Sequence, residues 1–201
     1  MEVRKALVIG VDLGGTKVAT AAADCSGSLL SKVTKPTLPE RGLDAVIETI
    51  VDTIREATTS AGGSKQDIRC IGIGSPGPID SEAGIVVFAP NLMWHNVPIV
   101  GILKGILDLP VYLENDANVA GLGEYRFGAG RGSKNMVYVT VSTGVGGGLI
   151  LNGEIYAGSF GMAGEAGFHR DGTHLIGGTA GWAHGREPFD YPVLFWEKYL
   201  S

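Results

Sequence analysis

The hydrophobic positions fall in short runs whose period changes along the chain. Ala6 to Val11 is an unbroken, β-branched run that stops at Asp12 and the pair Gly14 and Gly15, which predicts a buried strand. Lys17 to Ala23 and Ser28 to Thr34 predict two further strands with a turn around Asp24–Gly27, so the fold opens on a meander. From Gly42 to Ala61 the period lengthens. Leu43, Val46, Ile47, Ile50, Val51, Ile54 and Ala57 recur at helical spacing, and Gly62 and Gly63 stop the pattern. Ile68 to Gly74 predicts a second buried strand, broken by Pro76, Gly77 and Pro78. The stretch Pro90 to Pro98 reads as a turn-rich loop. Ile99 to Leu107 predicts a helix that Pro110 cannot continue. Val111–Glu114 then predicts a short strand, Ala117–Phe127 a helix entered through Asn115–Asn118, and Met136–Val141 a strand. Gly147–Ile155 predicts a hairpin turning at Asn152 and Gly153. Strands alternating with helices after a meander imply an α/β fold with a mixed sheet. The expected lobe boundary lies near Pro110–Glu114, giving an N-terminal α/β lobe over 1–112 and a partial C-terminal lobe over 113–201.

Composition narrows the function. The chain has 201 residues, 44% of them hydrophobic and 18% charged, with a net charge of −5. That is enough apolar material for a core, and it leaves no basic footprint for nucleic acid and no polybasic patch for a membrane surface. No apolar run is long enough for a signal peptide or a membrane span, so a cytoplasmic location is expected. Cys25 and Cys70 are the two cysteines, too few for a disulfide framework or a metal knuckle, and both read as small buried hydrophobes. The outlier is glycine, with 32 residues clustered at 14–15, 72–77, 121–132, 144–148 and 158–167. Clusters that follow strand-like runs suggest backbone that must come close to a ligand.

Two of these clusters suit phosphate. In Asp12, Leu13, Gly14, Gly15, Thr16 and Lys17, the glycines permit a tight turn that brings N–H groups toward an anion. Thr16 and Lys17 add a hydroxyl and a cation, and Asp12 could orient a hydrated Mg²⁺. The spacing is neither a Walker loop nor a dinucleotide fingerprint, and a plain hairpin turn remains the alternative. The second loop, Ser142 to Gly148, follows a strand and offers Ser142, Thr143, Gly144, Gly146 and Gly147. Two such loops with a carboxylate between them describe a clamp for a nucleoside triphosphate, because phosphoryl transfer asks mainly for positioning and charge neutralisation. The carboxylate is Asp116, at a strand end and helix start, where it could take a proton from an attacking sugar hydroxyl while Asn115 donates to one hydroxyl and accepts from another. Helix capping is the alternative for both residues. Asn91, Glu154 and Glu165 stand in turn-rich or glycine-rich segments as further polar groups, and His95 reads as a packing residue rather than a ligand.

Taken in order, these motifs resemble the ROK family (repressors, open reading frames, sugar kinases), bacterial glucokinases in particular. The resemblance runs from about Leu7 to Gly167 and rests on five motifs: residues 12–17, 72–80, 114–118, 142–148, and Gly164, Glu165, Ala166 and Gly167. It implies an actin-like ATPase (ribonuclease H-like) fold of two lobes with the second incomplete. It makes Asp116 the catalytic base and Asn91, Asn115 and Glu165 sugar ligands. The loops at 12–17 and 142–148 would hold ATP with Mg²⁺, and glucose 6-phosphorylation is the expected reaction. It also implies partners that are small molecules, a sugar and ATP, with a homodimer as the default assembly. The alternative is a relative that binds sugar without turnover.

Three departures qualify it. Phe168 stands where the family has a zinc-binding His after its Gly-Glu-x-Gly motif, with His169 one position later. No cysteine follows Cys70, so the family's structural zinc is expected to be absent, and His169, His174 and His184 alone suggest no metal site. Family members also continue well beyond the position of Ser201. The segment Phe195 to Leu200 again resembles the family and makes Glu197 a sugar ligand, whereas 168–194 does not match, as a frame slip or a replaced loop would produce. An incomplete second lobe leads us to expect weak ATP affinity and low stability.

Overall fold

A computed structural model of the chain describes residues 6–141, 145–158, 163 and 164. These residues fall into two compact units that divide between Val119 and Ala120.

The first unit is built on a five-stranded mixed sheet. Its strands are β1 (Leu7–Leu13), β2 (Lys17–Asp24), β3 (Leu29–Pro36), β4 (Ile68–Ser75) and β8 (Val111–Asn115), in the spatial order β3-β2-β1-β4-β8. The opening meander is antiparallel, whereas β1, β4 and β8 run parallel. Parallel strands need crossover connections. The helix α1 (Leu43–Ser60) leads from β3 toward β4, and α2 (Ile99–Leu107) leads into β8. The apolar faces read from the sequence are the buried ones: Val46, Ile47, Ile50, Val51, Ile54 and Ala57 of α1 join Leu7, Ile9, Val11 and Leu13 of β1 and Ile71 and Ile73 of β4 in one core. Two threonines enter that core as a satisfied pair, with Thr20 Oγ1 donating to Thr53 Oγ1 at 2.7 Å and Thr53 Oγ1 to the Ile50 carbonyl at 2.9 Å.

Between β4 and α2 the chain forms a small antiparallel sheet of β5 (Ile79–Asp80), β6 (Ile85–Ala89) and β7 (Trp94–Val97). This corrects the reading of 90–98 as an irregular loop. Only Pro90–Leu92 is a 3-10 turn, and Trp94–Val97 pairs with β6. The strand is hidden in sequence because Met93 and Asn96 take left-handed backbone angles, with φ of 57° and 50°, and prolines bracket the segment.

Helix α3 (Asp116–Phe127) follows β8 without a connecting residue. The second unit contains an antiparallel sheet of β9 (Met136–Val141), β10 (Val145–Leu151) and β11 (Glu154–Ile155) in the order β11-β10-β9. The turn from β10 to β11 has positive φ at both Asn152 and Gly153, 54° and 87°, the backbone that an Asn-Gly pair selects in a two-residue hairpin. The unit division falls after the boundary placed at Pro110–Glu114 because β8 pairs with β4 along five residues and so stays with the first sheet.

Candidate active site

Because β1, β4 and β8 are parallel, their carboxyl ends share one edge of the sheet, the edge where open α/β sheets hold ligands. The register aligns Asp12 with Gly74 and Gly74 with Glu114, and it sets Ser75 beside Asn115. Asp116 is the next residue. Gly74 lies against the start of α3: a Cβ there would make ordinary contact with the Asp116 Cα at 3.5 Å and the Val119 side chain at 3.6 Å. The sheet therefore delivers two carboxylates, Asp12 and Asp116, to one end of the first unit.

The start of α3 is fixed by its own polar side chains. Asn115 Oδ1 accepts from the N–H groups of Ala117 at 3.0 Å and Asn118 at 3.2 Å, which caps the helix. Asn115 Nδ2 donates to the Gly77 carbonyl at 3.4 Å. Glu114 Oε1 accepts from the Asn115 N–H at 2.8 Å and from Asn118 Nδ2 at 3.0 Å. Capping and candidate chemistry thus coexist here, since Asn115 is the cap and the carboxylate beside it is left to face solvent. Glu114 and Asn118 belong to the motif at 114–118 but were given no role of their own in the sequence, although their spacing of four across a helix start was the available signal.

Asp116 presents surface to solvent, and its Oδ1 accepts one bond, from the Ala117 N–H at 2.8 Å. Its carboxyl has a pKa raised above the ordinary carboxylate value. Desolvation by the surrounding protein is the main cause, and repulsion from Asp12 adds to it; the Ala117 hydrogen bond works in the opposite direction. A carboxylate held at higher proton affinity is a better general base near neutral pH.

The loop after β1 is tightly built. The Gly14 N–H donates to the Lys17 carbonyl at 3.0 Å. Thr37 Oγ1 donates to the Gly14 carbonyl at 2.6 Å, and the Thr37 N–H donates to the Thr16 carbonyl at 3.0 Å. Thr16 and Lys17 are exposed, and Lys17 forms no ion pair with a described residue. Gly15 packs directly on the 3-10 turn that carries Asn91, since a Cβ at position 15 would come within 2.6 Å of the Asn91 Cβ. The fold therefore brings Asn91, from a distant part of the sequence, against the first glycine loop. His95 is exposed on β7, where its ring meets the Phe88 ring edge-on at 6.2 Å and its Nδ1 lies 3.0 Å from Asn96 Nδ2.

In the second unit, Gly146 and Gly147 are strand residues of β10, paired with Thr140 and Val139 of β9, rather than part of an open loop. The sequence reading let the loop run to Gly148 because a glycine run carries no strand signal, but β9 supplies the partner. Position 147 admits no side chain, since a Cβ there would come within 2.5 Å of the Gly164 carbonyl oxygen. Glu154, on β11, is exposed. Ser142, Thr143, Gly144, Glu165, Glu197 and the family's zinc segment, with Phe168, His169, His174 and His184, lie outside the described residues.

Comparison with known proteins adds the relationship. The model of the ROK family matches residues 8–177. The chain is 44% identical over 164 residues to a glucokinase of Thermotoga maritima, covering 81% of this chain and 50% of that one. Among solved structures it is similar to a ROK family glucokinase from Streptomyces griseus in complex with glucose and AMPPNP, with a TM-score of 0.74 and 38% identity, covering 82% of this chain and 51% of the other. It is also similar to a ROK hexokinase from Thermus thermophilus, with a TM-score of 0.73 and 41% identity, over 81% and 53% of the two chains. The chain spans about half the length of the curated relatives it matches. It shares with these neighbours the actin-like ATPase fold. The motifs read in the sequence, the parallel strands that deliver Asp12 and Asp116 to one sheet edge, and a family match over 170 of its residues agree: the chain belongs to the ROK family.

Proposed function

We propose that this chain carries the sugar-activating residues of an ATP-dependent hexose kinase, with conversion of glucose to glucose 6-phosphate as the reaction. The observation that carries the proposal is Asp116: a carboxylate at the carboxyl end of a parallel strand, at the start of a helix, with its proton affinity raised by desolvation and by Asp12. The relatives named glucokinase, and the neighbour solved with glucose and AMPPNP, support the substrate pair.

In the proposed reaction the Asp116 carboxylate accepts the proton of the sugar 6-hydroxyl as that oxygen bonds to the γ-phosphorus. The bond from phosphorus to the bridging oxygen breaks, and ADP leaves. Asn91 and the Nδ2 of Asn115 orient the sugar from the first unit, and Glu165 and Glu197 are assigned the same task. The loop at 12–17 and the segment 142–148, with Thr143 and Gly144 before β10 and Gly146 and Gly147 at its start, are assigned to the phosphates. Residues 1–112 thereby supply the first phosphate loop, and 113–201 supply the base and the second loop.

Asp12 fits a hydrated Mg²⁺, being an exposed acidic residue beside the phosphate loop, and no group of three acidic, His or Cys residues among the described ones would hold a metal without water and phosphate. Such an ion, arriving with ATP, supplies charge neutralisation at the phosphates.

The test is ADP release coupled to glucose, measured on wild type and Asp116→Asn. The variant is expected to lose roughly 10²- to 10⁴-fold in turnover, the usual contribution of a positioned general base, while binding glucose as before by calorimetry. Equal turnover in the two proteins sinks the assignment. Glucose binding by wild type without any turnover assigns the chain to the sugar-binding, non-catalytic alternative.

A further inference from the structure

Thr37 lies outside every motif in the chain, one residue past the end of β3, yet it is among the most buried polar residues of the first unit, with 1% of its surface exposed. Both of its donors are spent on the glycine loop after β1. Its hydroxyl bonds to the Gly14 carbonyl at 2.6 Å, and its backbone N–H bonds to the Thr16 carbonyl at 3.0 Å. The consequence follows from peptide geometry. The Gly14 carbonyl and the Gly15 N–H belong to one planar, trans peptide, so they point in opposite directions. Holding the carbonyl fixes the direction of the amide. The Gly14 N–H is already used, on the Lys17 carbonyl. The N–H groups of Gly15 and Thr16 donate to no described residue. They are the donors the loop has left for an anion.

We infer that Thr37 is the positioning residue of this loop: its hydroxyl locks the peptide between Gly14 and Gly15 so that the Gly15 and Thr16 amides stay available to nucleotide phosphate. The inference rests on the kinase reading for the identity of the anion, and on geometry alone for the lock. A peptide between two glycines has little intrinsic preference to hold it, so the restraint must come from outside the loop. The phosphate contacts then fall to Gly15 and Thr16 rather than to Gly14.

Thr37→Val keeps the shape of the side chain and removes the hydroxyl; Thr37→Ser keeps the hydroxyl. In the coupled assay, Thr37→Val is expected to raise KM for ATP roughly tenfold, with KM for glucose unchanged, and Thr37→Ser to restore the wild-type value. Calorimetric titration with Mg²⁺ and AMPPNP should show the same loss and the same rescue. Hydrogen exchange of the Gly14 amide, held on the Lys17 carbonyl, and of the Thr37 amide, held on the Thr16 carbonyl, should quicken in Thr37→Val and not in Thr37→Ser. The inference is overturned if Thr37→Val leaves the exchange of those amides unchanged, or if both Michaelis constants rise together with a fall in Tm that serine does not reverse. A wild-type chain that binds neither AMPPNP nor glucose fails the kinase reading instead, and the exchange comparison then still decides the lock.

Discussion

Asp116 couples activity to stability through its proton. Its pKa is raised in the folded protein, mainly by desolvation and further by Asp12, so the folded chain binds this proton more tightly than the unfolded chain does. The contribution to stability is therefore complete below the ordinary carboxylate pKa and is lost as pH rises through the higher folded value. At neutral pH the ionised group is a net cost. Asp116→Asn keeps an oxygen to accept the Ala117 N–H and carries no charge. The variant should be at least as stable as wild type in urea at pH 7, and that advantage should vanish in acid below the carboxylate range. The same raised pKa sets the acid limb of kcat/KM, which is expected above the pH where a free aspartate titrates. A limb at the free-aspartate position would separate Asp116 from the chemistry.

At the scale of elements, the candidate site centres on the junction of β8 and α3, and one residue there is assigned two jobs. Asn115 Oδ1 caps α3, while its Nδ2 reaches the Gly77 carbonyl at 3.4 Å, a long bond that leaves the amide able to serve a ligand. Substitutions can separate the two. Asn115→Ala removes cap and amide, and should cost about 1 kcal/mol of stability, the usual value of a lost N-cap, together with sugar affinity. Asn115→Ser keeps a capping oxygen and removes the amide, so thermal stability should stay near wild type while KM for glucose rises. If the serine variant keeps wild-type KM, Asn115 is a cap only. This junction was legible in sequence because Asn and Asp directly after a short apolar strand are strong helix-start signals. The start of the β1–β2 meander and α1 were legible as well: β1 is an unbroken β-branched run stopped by Asp12 and two glycines, and α1 carries a clear period of 3.6. The sheet of β5, β6 and β7 was not, because its strands are two to five residues long and Met93 and Asn96 take backbone angles that read as turns. Nor was the packing of Gly15 on Asn91, since no local pattern reports a contact across 76 positions of chain.

At the scale of the whole molecule, the described residues of the two units differ in how much apolar surface they bury. Among the described residues, the contiguous core runs from Leu7 to Leu113, within the first unit. Among the described residues of the second unit, the buried hydrophobics are Met136 and Ile150, while Val137 and Val139 of β9 are 59% and 47% exposed and Leu151 and Tyr156 are exposed as well. Resistance to local opening follows buried apolar contact, so the free energy of opening should differ between the units. Native-state hydrogen exchange is the measurement. Amides of β1, β4 and α1 should exchange only by global unfolding, and those of β9 and β10 by a separate opening of much lower free energy. The sequence pointed the same way by another route, since an incomplete second lobe was expected to lower stability. Because Asp12, Thr37, Asn91, Asn115 and Asp116 all lie in the first unit with its contiguous core, the geometry proposed for proton abstraction should survive conditions that open β9 and β10. Glucose binding should then weaken, through the share assigned to Glu165 and Glu197, but not vanish at urea concentrations where those amides already exchange freely; its complete loss there would show that Asn91 and Asn115 hold no sugar on their own.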